Sequence, residues 1–299
     1  MHLIGAGGRT ILGEVSFAKI PPVLFCLGMM TMQPLLITSA ANERFRRWKK
    51  ITESPRAAKK LGMTLAEGAH LAQVILEKGT PVYSVILREH GLSKEAAELA
   101  GQLAALPDTR FFVVNDALYD QVSPVEHGSG LTVEVKVEEM PRPHRALNED
   151  ALYLDGVQDA GNAGTLIRTA LAAGIRYIAA APGSAGLWSP KVLRAGMGAH
   201  FSAIIYENVL PEELDTLFAG KRLAADARGG RDLFRTAGWE KTPTVWMMGA
   251  EGPGLSDRAL AVADARYLIP IEAACESLNV GAAAAVCLFE LRRRRLLAR

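Results

Sequence analysis

Apolar positions along the chain fall into two rhythms. Short apolar or alternating runs at "YSVILRE" (83–89), "RFFVVND" (110–116) and "GLTVEVKV" (130–137) read as strands. Between them, Leu71, Val74 and Ile75 recur at helical spacing and stop at Gly79. "SKEAAELAGQLAAL" reads as a second helix with Ser93 as its N-cap. Residues 42–138 therefore predict a small α/β unit. The polar, proline-containing stretch after it predicts a linker over 139–150.

From residue 151 onward the alternation is more regular. "ALYLDGV" (151–157), "YIAAAPG" (177–183), "SAIIYEN" (202–208), "RLAADA" (222–227), "TVWMMG" (244–249) and "ARYLIPI" (265–271) predict strands. "GTLIRTALAAG" (164–174) predicts a helix, and "SPKVLRAGMGAHF" (189–201) another, entered at Ser189 with Pro190 at its first position. Strands and helices in alternation imply an α/β domain with a parallel sheet over 151–299. No internal repeat or low-complexity tract interrupts it.

The 41 residues ahead of the small unit read differently. "IPPVLFCLGMMTMQPLLI" (20–37) is apolar, but its prolines at 21, 22 and 34 leave too short a run to span a bilayer. An imperfect signal peptide is one reading. The preferred one is an N-terminal extension over 1–41, with Met29, Met30 or Met32 as alternative starts. "GAGG" (5–8) lacks the preceding strand that a dinucleotide fingerprint needs. The three cysteines, Cys26, Cys275 and Cys287, have no metal-ligand spacing, so a reducing cytoplasm and no metal site are expected.

Of the 299 residues, 49% are hydrophobic and 22% charged, with a net charge of +2, so neither disorder nor a strongly cationic surface is indicated. The distribution is more telling. Eight basic residues lie between Arg44 and Lys60, and Arg292–Arg295 form a second cluster. Each is either a phosphate-binding patch or a solvated helix face.

Three segments carry candidate chemistry. In "LDGVQDAGNAGTLIRTALAAG" (154–174) a strand runs through a loop into a helix. Asn162 is an N-cap candidate, and Arg168 stands among small apolar residues, where it needs an anionic partner or a path to water. In "VWMMGAEGPGLSDRAL" (245–260) Glu251 stands between Gly249, Gly252 and Gly254, and Ser256 caps the next helix. In "LIPIEAACESLNVGAAAAV" (268–286) a strand leads through Ile269 and Pro270 to Ser277, Leu278 and Asn279, ahead of an alanine-rich helix.

In this order and spacing the segments resemble the three motifs of the SpoU/TrmH branch of the SPOUT RNA methyltransferases. "LRAGMGAHF" (193–201) is similar to the stretch between the first two motifs. Glu67–Gly68 and the element order of 42–138 resemble the family's small substrate-binding domain, a ribosomal-protein L30e-like fold. Here His127–Gly128 replaces the commoner Gln–Gly. The resemblance implies a deep trefoil knot in the C-terminal domain and S-adenosyl-L-methionine as methyl donor. It implies a donor site at Gly249, Gly254, Ile269 and Leu278, held largely through backbone groups. A catalytic set of Asn162, Arg168, Glu251, Ser277 and Asn279 would act on a ribose 2′-hydroxyl of ribosomal or transfer RNA, with ribosomal RNA favoured. A cytoplasmic homodimer packed through the knot domain is also implied. A non-catalytic RNA-binding or ribosome-assembly factor is the alternative. The missing G-x-G-x-x-G disfavours a nucleotide-dependent oxidoreductase.

Overall fold

The computed structural model describes residues 34–123, 128–137 and 139–298. The Gly5–Gly8 run, Cys26, the methionines at 29, 30 and 32, and His127 lie outside them.

The first sheet is mixed and has strand order β1-β4-β3-β5-β2. It comprises β1 (Leu35–Ile37), β2 (Met63–Glu67), β3 (Val82–Arg88), β4 (Arg110–Val114) and β5 (Leu131–Lys136). Strand β1 falls inside the stretch assigned to the extension, and pairs in parallel with β4 from Leu35–Phe112 to Ile37–Val114. Its three residues were too few to show a period. Strand β2 was also absent from the expected set, because "MTLAE" runs directly into the next helix.

Helices α1 (Glu43–Glu53) and α2 (Pro55–Leu61) cover one face of this sheet. Asn42 and Ser54 cap them, accepting from Arg44 and Phe45 and from Ala57 respectively. Phe45, Trp48 and Ile51 are buried, each stabilising the fold by roughly 1.5–3 kcal/mol. Helices α3 (Ala69–Lys78) and α4 (Lys94–Ala104) pack on the other face, and Ser93 caps α4 as expected. The short helix α5 (Asp116–Val122) joins α1. With helices on both faces, the alternation in β5 does not separate core from solvent: Thr132 and Glu134 are as buried as Val133 and Val135. One carboxylate oxygen of Glu134, Oε2, accepts from Arg47, Trp48 Nε1 and Ser84 Oγ at 2.8, 3.0 and 2.5 Å.

The second sheet has seven strands in the order β10-β12-β9-β11-β6-β7-β8, all parallel. These are β6 (Ala151–Asp155), β7 (Tyr177–Ala180), β8 (Ile204–Glu207), β9 (Lys221–Ala225), β10 (Arg231–Asp232), β11 (Thr244–Gly249) and β12 (Ala265–Leu268). Helix α6 (Ala160–Ala173) follows β6, and α7 (Pro190–Ala195) precedes β8. The one-turn α8 (Leu214–Leu217) precedes β9, α9 (Asp257–Val262) lies between β11 and β12, and α10 (Val280–Leu297) ends the fold. Helix α10 packs on α6 and on the sheet through Ala284, Cys287, Leu288 and Leu291, all buried.

Of the arginines at 292–295, Arg292 and Arg293 are exposed, whereas Arg294 and Arg295 are half-buried, and all four are engaged by the fold. Arg294 pairs with Glu290 at 2.6 Å, donates to the carbonyls of Leu233, Phe234 and Thr236, and lies over the Trp239 ring. Arg295 pairs with Asp150 and donates to the carbonyls of Glu240 and Thr242. Arg293 pairs with Glu290, and Arg292 donates to the Ala173 carbonyl. The cluster ties the end of α10 to the segment before β11 and to the entrance of β6.

Residues 186–201 join the two sheets. Trp188 packs against both cores, its carbonyl accepts from Thr64 Oγ1 at 2.6 Å, and Leu193 belongs to the first sheet's core. His200 is buried beside Trp188 at a ring distance of 5.5 Å. Burial pushes its imidazole down to about 4 from an ordinary value near 6.5, so it folds in neutral. A depressed folded pKa leaves the stabilisation intact above about pH 6.5 and removes it as the pH falls through about 4. Denaturant midpoints measured at about pH 7 and about pH 5 should therefore fall in the parent chain. In His200→Leu that part of the decline should be absent.

Candidate active site

Strands β12, β9, β11 and β6 are neighbours running the same way, so the loops that leave them gather at one edge of the sheet. Ligands of open parallel sheets bind outside these carboxyl ends. All three sequence motifs lie there.

Helix α6 begins four residues earlier than its apolar period predicted, and its N-cap is Asp159, not Asn162. The Asp159 carboxylate accepts from the Asn162 N–H at 2.7 Å. Asp and Asn are equally good caps, and the period alone could not choose between positions three residues apart. Because Asn162 is inside the helix, its side chain is free to bond elsewhere. Its Nδ2 donates to Glu251 Oε1, and its Oδ1 accepts from Asn279 Nδ2 at 3.0 Å. Asn279 is itself the cap of α10: its Oδ1 accepts from the N–H groups of Gly281 and Ala282 at 2.8 and 3.3 Å. One residue from each motif therefore enters a single chain of amide and carboxylate contacts.

Two expected members stand apart from that chain. Arg168 lies less than two turns further along α6, about 9 Å along the helix axis from Asn162. It is exposed and makes no ion pair or side-chain hydrogen bond among the described residues, so its charge has the path to water rather than the structural salt bridge. Ser277 is exposed in the segment between β12 and α10, where its carbonyl accepts from Cys275 Sγ at 3.2 Å. Leu278 is 38% exposed, while Ile269 packs on the edge of the core.

The glycines of the second motif are used chiefly by the loop itself. A Cβ on Gly249 would collide with the backbone of Gly254 and Leu255. The loop closes on itself through Ala250 N–H to Gly254 O at 3.1 Å and Gly254 N–H to Ala250 O at 2.9 Å. Gly254 has φ +73°, and a Cβ there would meet the Arg228 guanidinium at 3.2 Å. Arg228 and Asp226, in "DARGG" after β9, lie outside the three motif segments. Asp226 is buried and pairs with Arg228 at 3.4 Å, and Arg228 Nη2 donates to the Leu255 carbonyl at 3.4 Å. Asp155, at the end of β6, accepts from Ser256 N–H at 2.7 Å and fixes the start of α9. The signal for both was available, since each is a polar residue ending an apolar strand.

In the segment 269–278 the only backbone–backbone hydrogen bond among the described residues is Cys275 N–H to Glu272 O. Its other peptide groups and the half-exposed Leu278 face the loop edge without regular structure. Near the first sheet's end, Glu67 is buried and bonds Ser123 at 2.7 Å, and burial raises its carboxyl above the usual range. A cavity of about 340 Å3 between α2 and β8, lined by Lys59, Met63, Arg142, Trp188 and Glu207, contains none of the motif residues. No group of three or more potential metal ligands occurs among the described residues. No helix there is long and apolar enough to cross a membrane.

The edge loops of the parallel sheet thus converge on an Asn–Asn–Glu chain of contacts with one residue from each motif. Residues 150–289 match the SpoU rRNA methylase family, and the chain belongs to that family. It is 29% identical over 262 residues to the 23S rRNA (guanosine(2553)-2′-O)-methyltransferase of Bacillus subtilis, covering 86% of this chain and 98% of that one. An uncharacterized tRNA/rRNA methyltransferase of Synechocystis is 30% identical over 268 residues, with 86% and 93% covered. The crystal structure of the SpoU methyltransferase AviRb from Streptomyces viridochromogenes with AdoMet superposes with a TM-score of 0.76 at 25% identity. That match covers 86% of this chain and all of that one.

Because backbone atoms rather than a flexible side chain fill the space beside Gly249, Gly249→Ala should open the 249–255 loop. We expect a loss of about 1–3 kcal/mol in urea denaturation, as overpacking at a rigid site costs. Gly252→Ala, whose Cβ meets nothing within 4 Å, should lose less despite its positive φ.

Proposed function

We propose that this chain is an S-adenosylmethionine-dependent methyltransferase that acts on a ribose 2′-hydroxyl of ribosomal RNA. The observation that carries the reading is the relay Glu251–Asn162–Asn279, which joins one residue of each family motif at the carboxyl edge of the sheet. The residues present suit the methyl donor. Free peptide groups over 269–278 provide donors and acceptors for an adenine edge, and the half-exposed Leu278 provides an apolar surface. Gly249, Gly254, Ile269 and Leu278 would hold it. When bound, it supplies an electrophilic methyl group.

The chain's own part is orientation and charge. Transfer requires the hydroxyl oxygen in line with the methyl carbon, so groups that fix the ribose lower the barrier by alignment. Glu251 fixes the Asn162 amide and Asn279 fixes it from the other side, and Ser277, two residues before Asn279, would offer a hydroxyl to the bound ribose. Arg168 stays protonated at neutral pH and is no general base. Its free guanidinium would hold a phosphate next to the target ribose and stabilise negative charge growing on the 2′ oxygen.

The finer parts of the reading are a trefoil knot, two units over 42–138 and 151–299 joined by 139–150, and a cytoplasmic homodimer. The knot is supported by the path of the chain. From β12, on the far side of β9, it returns past the β11 loop to start α10 against α6. The L30e-like reading of the first unit is supported by its five-stranded mixed sheet with helices on both faces. RNA would be gathered by α1 and α2, where Arg46, Lys50, Arg56 and Lys60 are exposed without ion-pair partners among the described residues.

The test is incubation with methyl-labelled donor and unmodified ribosomal RNA, followed by nucleoside analysis. A 2′-O-methylated nucleoside is expected. A base-methylated product, or no transfer to ribosomal RNA, would defeat the reading. Arg168→Ala should lower kcat by about 10²–10³-fold, the loss seen when one charge-stabilising donor is removed. Arg168→Lys should recover only part of that loss, since a point charge does not reproduce bidentate phosphate binding.

A further inference from the structure

Beside the basic face of α1, the first sheet carries an aromatic and cationic cluster that takes no part in the proposed chemical step. In the pairing of β3 with β5, Val82 faces Val135 and Ser84 faces Glu134, so Tyr83 is an extra residue in the ladder. A bulge of this kind re-aims a side chain, and Tyr83 emerges 40% exposed. Two guanidiniums stand over its ring, Arg47 at 5.2 Å and Arg110 at 5.5 Å from the centroid. The cluster lies at the end of the sheet opposite Glu67, because β2 and β3 both run antiparallel to β5.

Arg47 is anchored from beneath. Its Nη2 donates to Glu134, which is wholly buried, and the same carboxylate oxygen also accepts from Trp48 and Ser84. Glu134 Oε1 and Arg47 Nε are buried with no hydrogen-bond partner. Arg110 is exposed and makes no ion pair among the described residues. Arg46 and Lys50 extend the positive charge along the outer face of α1.

Packing alone accounts for one Arg–Tyr contact. It does not account for a bulge that turns an aromatic ring outward. Nor does it account for a buried carboxylate, costly to desolvate, that holds one of the two cations at the surface. A guanidinium plane held over an aromatic ring presents its outer face for an unpaired base to stack on, with the adjacent phosphate paired by the same cations.

We propose that Tyr83, Arg47 and Arg110 form a second RNA-binding site, which stacks one unpaired base of the ribosomal RNA substrate and pairs with its neighbouring phosphate. The inference rests on the reading of the chain as a ribosomal RNA methyltransferase. The site lies on the first sheet, away from the motif loops, so it sets substrate affinity and not the chemical step. Stacking is tolerant of base identity, and the site fixes where single-stranded RNA runs rather than which base is chosen.

The experiment uses the full chain and an unmodified transcript of 23S rRNA, with two separate readouts. Fluorescence anisotropy of the labelled transcript gives Kd as a function of salt, and methyl transfer gives kcat and KM. Arg110→Gln should raise Kd and KM about tenfold and leave kcat within about twofold. It should also reduce the slope of log K against log salt by about one. Tyr83→Ala should raise KM similarly, while Tyr83→Phe, which keeps the ring, should behave as the parent. Arg110 is exposed, so its variant reports binding even if Tyr83→Ala proves unstable in a thermal melt. Unchanged Kd and salt slope in Arg110→Gln, or a fall in kcat alone, would overturn the proposal. A parent chain that binds the transcript through Tyr83 and Arg110 but transfers no methyl group would defeat the functional reading and leave this site standing.

Discussion

The Asn162 amide is the constraint on which the candidate active site depends. It is one planar group with a donor end and an acceptor end, and both are in use. Glu251 accepts from the first and Asn279 donates to the second. The three residues come from the first turn of α6, the loop after β11 and the cap of α10, far apart in sequence, so each contact fixes one element against another. Because Asn279 also caps α10, the geometry of the site is set by the same bonds that start the last helix. A carboxylate at 251 and amides at 162 and 279 satisfy this donor and acceptor order without moving a proton. A carboxylate at 162 would face Glu251 with like charge and reverse it.

Close approach is the second requirement, and it explains the small residues. Gly281 sits where a Cβ would come within 3.1 Å of the Thr165 methyl, so α10 can start directly against α6. Gly164, on the neighbouring face of α6, has Val192 O, Ala195 and Gly196 N around it at 2.5–2.6 Å from a built Cβ. Helix α6 is thus clamped between α10 and α7, and α7 carries Leu193 into the core of the first sheet. Burial raises the Glu67 carboxyl, and the Ser123 hydrogen bond, followed by the charge of Arg194 beside Leu193, opposes that rise. The motif helix and the junction between the sheets are therefore mechanically continuous.

Much of this was legible in the residues. Six of the second sheet's seven strands followed from alternation, the two-residue β10 being too short to read, and Ser93 and Ser256 were readable as caps because each precedes a helical period. What escaped was set by tertiary contacts. Strand β1 is three residues long and only its pairing defines it. The buried Glu134 looked like the solvent face of an alternating strand until α1 covered it. Arg292–Arg295 looked like a free cationic end, since nothing local shows that Asp150, 142 or more residues earlier, lies beside it. Asn162 was recognised as important but given the wrong local role, because a cap and a bridging amide use the same residue type.

The arginine cluster shows why composition misleads here and what the fold needs. A helix of alanines and cysteine buries little area per residue, so α10 gains limited hydrophobic anchorage along its first half. Its second half is held instead by charge-assisted bonds. Arg293 and Arg294 hold the Glu290 carboxyl well down, at about 2, with the Arg293 hydrogen bonds the leading cause. Arg294 also occupies three carbonyls of the 233–236 segment, which a guanidinium's five donors permit and an ammonium's compact charge does not. The small first half allows α10 to lie close to α6 beside the active-site loops. The arginine-rich second half fixes the helix from the far end, so the close packing at Gly281 need not supply the stability itself.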